Sequence, residues 1–354
     1  MPPRMRTSWW RPVGTGCDWR ADADRGRRVW KFKGLRAEES LKGASVMDVT
    51  VKAGAPRSGA RLWGDDADAF QRHLESLDER MRRLAEGFYT RGYLHLRDVV
   101  SHAACDRAIE SYEKWWEMRA PGTDGGRPRG RTPRVINLHS ELDAFKDLFV
   151  APDLLDVLDL LFGYRASVYT SLTFKYGTEQ PLHRDTPVFR TEPEEFYFGA
   201  WVALEDADEE NGCLMALEGG HRGGRVPPFE FAEARLRNVE DVDENANPLW
   251  NEYQEAVVAK CESEGAVRKV LPARKGDVVI WHPQLPHGGS PIRRPGATRY
   301  STVFHVVPEG TPVYQGREFF IRARSAPPDR WERGYDDYEG RLFMKTGGAA
   351  VGGN

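Results

Sequence analysis

Apolar residues recur along the chain with two different periods, and the change of period divides it. From Asp65 to Ala85, Phe70, Leu74, Leu77, Met81 and Leu84 follow at spacings of 4, 3, 4 and 3, the rhythm of an amphipathic helix. Gly92 to Arg97 alternates like a short strand, and Ser101 can cap a helix running through Ile109 to Trp116. Between Pro121 and Pro133 a run of Gly, Arg and Pro predicts a flexible loop, a candidate lid. From about Val168 short β-prone segments succeed one another: 168–175, 196–204, 213–217, 277–281 and 300–307. Strands in series without crossover helices favour an antiparallel sandwich, barrel or jelly roll over a parallel sheet. One interruption is long, from His221 to Pro272. Inside it Trp250, Tyr253, Val257 and Cys261, at spacings of 3, 4 and 4, predict a helix from about Pro248 to Glu264. An insertion of this size either covers an active-site mouth or makes an oligomer contact, and the pattern leaves both open.

The expected fold is therefore α+β with a mainly β core, flanked by N-terminal helices and a helical insertion. At 354 residues one domain with long insertions is the default. We divide the chain into an extension at 1–60, a domain at 61–325 carrying the insertion 221–272, and a tail at 326–354. The Gly- and Ala-rich end from Gly347 predicts disorder.

Charge and cysteine usage narrow the class. With 51 Lys and Arg against 54 Asp and Glu the net charge is −3, so no overall field recruits nucleic acid or an anionic membrane, and a small-molecule partner fits better. The segment Met1–Lys42 is locally basic, eleven Lys and Arg against five Asp and Glu, and holds Trp9, Trp10, Trp19 and Trp30. Basic residues interleaved with aromatics suit phosphates and bases. A poorly ordered extension, or one whose tryptophans pack on the main domain, needs no partner and is the simpler reading, so no nucleic-acid partner is expected. No window reaches the roughly 18 apolar residues of a membrane span, and no apolar signal core of about 7–15 residues opens the chain. Cys17, Cys105, Cys213 and Cys261 are far apart with no CxxC pair, which argues against a disulfide framework and a thiolate zinc site. These features predict a reduced, cytoplasmic protein, monomer or homodimer.

Candidate chemistry begins at Gln180-Pro-Leu-His-Arg-Asp-Thr-Pro187. A strand puts residues i and i+2 on one side, so the His183 imidazole and the Asp185 carboxylate converge. A third ligand can come from Trp281-His-Pro-Gln-Leu-Pro-His-Gly-Gly-Ser290, near the end of a predicted strand. Two imidazoles and one carboxylate on one face of an octahedron suit Fe(II) and leave three positions for cosubstrate and dioxygen. By itself His-x-Asp is a common surface pair. Twelve residues beyond His287, Arg299-Tyr-Ser301 would place a guanidinium and a hydroxyl on one strand face. A planar donor fork matches the distal carboxylate of a dicarboxylic acid, while the other end of 2-oxoglutarate can chelate iron. A lone Arg-x-Ser is ordinarily a surface feature; the ordered set of three motifs is far more specific than its parts.

At these residues the chain resembles the phytanoyl-CoA dioxygenase family, over roughly Phe88 to Pro308. The motifs carrying the resemblance are Leu182-His-Arg-Asp185, the stretch Trp201–Leu214 leading to Gly219-Gly-His221, and Gly276–Gly288. The resemblance implies a double-stranded β-helix, Fe(II), 2-oxoglutarate and dioxygen, with decarboxylation to succinate coupled to substrate oxidation. It also implies that Lys175 and Trp201 border the cosubstrate pocket. It selects His287 over His282, because the family's ligand histidine is followed by glycine and a small polar residue. His221 occupies the family's Gly-Ser-His turn and reads as structural. His305, on the Arg299 strand, faces either the cavity or the packing. Two departures, Arg184 within His-x-Asp and Glu218-Gly-Gly before His221, are expected close to the substrate side and bear on substrate identity rather than on iron.

Asp185 disfavours halogenation, which requires that carboxylate position for the halide. Hydroxylation of a small or carrier-bound metabolite is the expected outcome, with desaturation, cyclisation and epimerisation open to the same cofactors. A non-catalytic sensor retaining metal and cosubstrate, and a nucleic-acid-modifying oxygenase, are the readings from other classes. Substrate is expected to enter a mouth formed by Arg134, Thr186, Arg190 and the insertion, where the two arginines could meet a carboxylate or phosphate.

Overall fold

The computed structural model describes residues 17–22, 27–32, 39–40, 52–62, 64, 67–119, 134–186, 189–235, 248–315 and 333–352. The loop 121–133 and the first two tryptophans fall outside them. Contacts divide the chain into two units, Met1–Ala37 and Glu38–Asn354. In the first, β1 (Cys17–Asp22) and β2 (Arg27–Phe32) form an antiparallel hairpin with Trp19 opposite Trp30.

The second unit opens with β3 (Glu39–Ser40), α1 (Ala67–Glu75), α2 (Glu79–Arg91), β4 (Tyr93–Arg97) and α3 (His102–Arg119). The spacing that predicts one helix over 65–85 is carried by two. The Ser76 hydroxyl turns back onto the His73 carbonyl, and Asp78, in extended conformation, accepts the Met81 N–H at 2.8 Å and starts α2 afresh. The apolar rhythm runs through the break because Leu74, Leu77 and Met81 are buried in one cluster. Gly92, at φ 87°, caps α2 in the left-handed region and turns the chain into β4. Ser101 accepts the Ala104 N–H at 3.2 Å and caps α3.

The chain continues through β5 (Arg134–Ile136), α4 (Asp143–Phe149), α5 (Pro152–Phe162), β6 (Ala166–Phe174), β7 (Phe189–Thr191), β8 (Phe198–Ala203) and β9 (Leu214–Glu218). Two insertion helices follow, α6 (Pro228–Glu233) and α7 (Pro248–Ser263). The remaining strands are β10 (Val267–Leu271), β11 (Val278–Trp281), β12 (His287–Gly289), β13 (Ser301–Pro308), β14 (Val313–Gln315), β15 (Tyr335–Tyr338), β16 (Arg341–Met344) and β17 (Ala350–Gly352).

The large sheet runs β15-β16-β6-β13-β8-β11-β4-β3, with β5 beside β6 and β17 beside β5. A smaller sheet, β10-β9-β12, lies across one cavity from it, since residues of both line that space. This is a jelly roll, the double-stranded β-helix. Alternation makes the large sheet two-faced. Leu94, Leu96, Phe198, Ala200, Val278, Ile280 and Phe304 pack with α2, α3 and α5, whereas Tyr93, Trp201, Val279, Trp281 and Val303 form an interior cluster. Burying each of the Leu, Ile, Val and Phe side chains among them contributes roughly 1.5–3 kcal/mol. The helices seal one face, and the other is left for chemistry.

The tail departs from expectation. Phe343 of β16 stands parallel to Val168 of β6, and Val351 of β17 stands opposite Val135 of β5. Backbone pairing needs no large side chain, so a Gly- and Ala-rich segment can close a sheet edge, helped by Ala349 N–H donating to Glu141 at 2.8 Å. Cys105, Cys213 and Cys261 are free and buried. Among the described residues no helix is long and apolar enough to cross a membrane.

Candidate active site

Backbone pairing brings His183 and His287 together. They form an antiparallel bridge in which each N–H donates to the other's carbonyl at 2.9 Å. Each ring also bonds through Nδ1 to a carbonyl two residues back, His183 to Pro181 at 2.8 Å and His287 to Leu285 at 3.0 Å. A carbonyl only accepts, so Nδ1 carries the proton in both rings and Nε2 keeps its lone pair.

Asp185 completes the group. Its Oδ1 is 3.8 Å from His183 Nε2 and its Oδ2 is 3.7 Å from His287 Nε2. One ligand atom from each residue lies within 4.8 Å of the others, too far for hydrogen bonds and near enough to surround one cation. Trp281 Nε1–H donates to Asp185 Oδ2 at 2.9 Å, and its indole lies 4.2 Å from the His287 ring, centroid to centroid. Burial alone would raise the Asp185 carboxyl, but the His287, His305 and His183 imidazoles override it and hold it well below the usual carboxylate range. Burial pushes His287 down to about 4, against the pull of Asp185. A neutral imidazole beside an ionised carboxylate is the state that a divalent cation requires. The donor set, the free Nε2 atoms and the oriented carboxylate fit Fe(II).

The same cavity holds an unsatisfied cation. Arg299 is 2% exposed; its Nη1 donates to the Gly212 carbonyl at 2.8 Å, its guanidinium lies 5.6 Å from the Trp201 ring, and its Nε has no hydrogen-bond partner. Burial lowers its pKa to about 10, so it stays charged at neutral pH. A buried charge with unused donors is costly unless an anion arrives. Arg299, Trp201, Val303 and His305 line the cavity with His183, Asp185 and His287. Ser301, the first residue of β13, lies two residues beyond Arg299, fully buried, its hydroxyl 3.4 Å from the Arg299 carbonyl.

The other candidates divide. Lys175, expected beside the cosubstrate, pairs with Glu113 of α3 at 3.0 Å; Phe174 before it takes the cavity side, so alternation sends Lys175 to the helical face. Arg190 is exposed and reaches Glu194 at 3.5 Å, away from the cavity. Thr186 bonds the Tyr197 hydroxyl at 2.6 Å behind Asp185. Arg134 stands opposite Phe174 on β6, a cavity-lining residue, so it shares that face at the sheet rim, half-buried and with its Nε unbonded. His305 is buried against Phe189, with Nε2 3.5 Å from Asp185 Oδ2 and Nδ1 without a hydrogen bond. His282 and His221 meet at a tilt near α2, where His221 Nε2 lies 3.1 Å from the Tyr89 carbonyl and His282 Nδ1 accepts the Gln284 N–H. Arg184, expected near the substrate, points away from the cavity into the insertion. Sequence reasoning missed the role of Trp281. The signal was its parity with Val279 and Trp201, which places it on the interior face.

The family model described as Phytanoyl-CoA dioxygenase (PhyH) matches residues 88–299. The peroxisomal phytanoyl-CoA dioxygenase of Homo sapiens is 29% identical over 287 residues, 73% of this chain and 80% of that protein. That of Rattus norvegicus is 30% identical over 224 residues, 58% of this chain and 62% of that protein. Among solved structures, the non-heme alpha ketoglutarate dependent carbocyclase SnoK has TM-score 0.52 at 19% identity, covering 73% of this chain and 95% of its own. The corresponding epimerase SnoN has TM-score 0.51 at 16% identity, covering 75% and 98%. These two likenesses concern the fold alone. With a family match that takes in all three converging side chains and Arg299, the chain belongs to the phytanoyl-CoA dioxygenase family of iron- and 2-oxoglutarate-dependent oxygenases.

Proposed function

We propose that this enzyme hydroxylates a C–H bond of a small-molecule substrate, with His183, Asp185 and His287 holding Fe(II) and Arg299 receiving 2-oxoglutarate. The observation that carries this reading is the convergence of three ligand atoms within 4.8 Å in the cavity that also contains a buried arginine with unused donors. Bound there, Fe(II) and 2-oxoglutarate would supply oxidative decarboxylation, in which 2-oxoglutarate loses carbon dioxide to become succinate, one oxygen atom of dioxygen entering succinate and the other the substrate. The chain's residues arrange the reactants. The Pro181 and Leu285 carbonyls aim the two imidazoles, and the Trp281 N–H orients the carboxylate. Arg299 places the distal carboxylate of the cosubstrate against Trp201, with the Ser301 hydroxyl beside it. His305 presents ring nitrogens to whatever occupies the space next to Asp185. Arg134 at the rim meets an anionic group of a ligand in the cleft. Presence of Asp185 as a ligand opposes halogenation.

The test is Fe(II)-dependent succinate formation in the wild-type protein and in His183→Ala and Asp185→Ala, with circular dichroism as the control for folding. Both variants are expected to be inactive and folded. Full activity in either one refutes the assignment.

A further inference from the structure

Strand alternation turns Arg184 away from the cavity that His183 and Asp185 face. It is 3% exposed, and what receives it belongs to the insertion and the turn that leads into it. Its Nη1 donates to the Gly224 carbonyl at 3.0 Å, and its Nη2 donates to the Gly220 carbonyl at 2.8 Å, to the Gly223 carbonyl, and to Cys261 Sγ at 3.4 Å. Its main chain is held as well. The Arg184 N–H donates to Gln254 Oε1 at 2.9 Å, and the Arg184 carbonyl accepts from Gln254 Nε2 at 3.2 Å. Gln254 and Cys261 both lie on α7.

The turn that supplies the carbonyls is shaped around the guanidinium. Gly224 has φ +66°, and a Cβ there would lie 2.9 Å from Arg184 Nη2 and 2.2 Å from Cys261 Sγ. Its N–H is fastened to Glu264 at 2.7 Å. The two positions where the sequence departs from the family pattern, Arg184 and the Glu218-Gly219-Gly220 turn, are thus in contact with each other.

We propose that Arg184 is a positioning residue through which the insertion braces the metal-binding segment, so that metal affinity depends on the contacts that Arg184 and Gln254 make with each other and with the glycine turn. A lid on α7 would have to strip a buried cation of its acceptors at every opening, whereas a brace keeps them. The inference rests on the metal assignment made above. A guanidinium anchored in the insertion and an amide clamp on the residue between the two ligands fix the rotation of that segment, and with it the direction of the Asp185 carboxylate.

The experiment is calorimetric titration of the full-length apoprotein with Mn(II), together with its melting temperature, for wild type, Arg184→Met, Arg184→Lys, Gln254→Leu and Leu249→Ala. Outer contacts that orient metal ligands typically change affinity by about 10–100-fold, and a loss of that order is expected in Arg184→Met. Arg184→Lys keeps the charge with fewer donors and should recover part of it. Gln254→Leu leaves the guanidinium in place and should still lose several-fold, which decides the matter if Arg184→Met does not fold. Leu249 is buried in the same insertion cluster, so Leu249→Ala should lower the melting temperature with Mn(II) affinity unchanged. Wild-type affinity in both Arg184→Met and Gln254→Leu overturns the proposal, as does an equal loss in Leu249→Ala. Failure of the wild-type protein to bind Mn(II) would instead overturn the metal assignment itself.

Discussion

Replacing Arg299 with leucine removes the one cavity-lining guanidinium that the structure leaves partly unused among the described residues. Of its five N–H donors one is spent on the Gly212 carbonyl, so a fork remains for a carboxylate. Two charge-assisted hydrogen bonds at roughly 1.5–3 kcal/mol each amount to about 3–6 kcal/mol. At about 1.4 kcal/mol per tenfold, 2-oxoglutarate affinity should fall by some 10²–10⁴-fold. Arg299→Lys keeps a point charge without the fork and should lose less, on the order of tenfold. The assay is calorimetric titration of Mn(II)-loaded protein with 2-oxoglutarate, supported by the KM for 2-oxoglutarate in succinate formation. Mn(II) affinity should be unchanged, because Arg299 does not touch the three ligands. An unaltered Kd for 2-oxoglutarate in the leucine variant would refute the role given to this residue. Loss of Mn(II) binding would show that the substitution had disturbed the metal centre instead.

Trp281→Phe keeps an aromatic ring against His287 but deletes the N–H that orients Asp185; Mn(II) affinity should drop about tenfold with little change in melting temperature, and an unchanged affinity would remove the indole from the site. Asp277 is buried under Arg97 at 2.6 Å, the Arg274 N–H at 2.8 Å, the Asp98 N–H at 2.9 Å and His95 at 3.3 Å. Burial would raise its carboxyl, yet these donors override burial and hold it below the usual range. A depressed carboxyl contributes stability above the unfolded value, near pH 3.9, and that contribution is lost as pH falls through the folded value. Asp277→Asn should therefore cost about 3–5 kcal/mol at pH 7, measured by urea unfolding, and the gap from wild type should narrow below about pH 4. A gap that stays constant across that range would contradict this account.

Local rules read much of the molecule in advance. Alternation and helical spacing located β4, β6, β8, β9, β11, β13 and α7, and cap chemistry located Ser101, because each depends on neighbours in the chain, whereas β10 lies inside the segment read as an insertion. Convergence of His183 with Asp185 was legible from the same period of two, whereas His287 required the resemblance to exclude His282. What escaped were contacts set by long-range packing. The break between α1 and α2 preserves the apolar rhythm, so periodicity could not register it. Lys175 is separated from Glu113 by a whole helix-to-strand crossing, and Arg184 was misread as a substrate-side residue because its acceptors are backbone carbonyls of glycines, which leave no signature in side-chain chemistry. The pairing of β17 with β5 was invisible for a similar reason: the residues that pair are small, and only their main chain takes part.

That last pairing bears on how the protein should be handled. β17 shields the outer rim of β5, and the next strand inward, β6, supplies Leu172 and Phe174 to the reaction chamber. Proteolysis that removes β17 would expose a bare strand rim next to Arg134, inviting foreign strands to dock there and slackening one wall of the chamber.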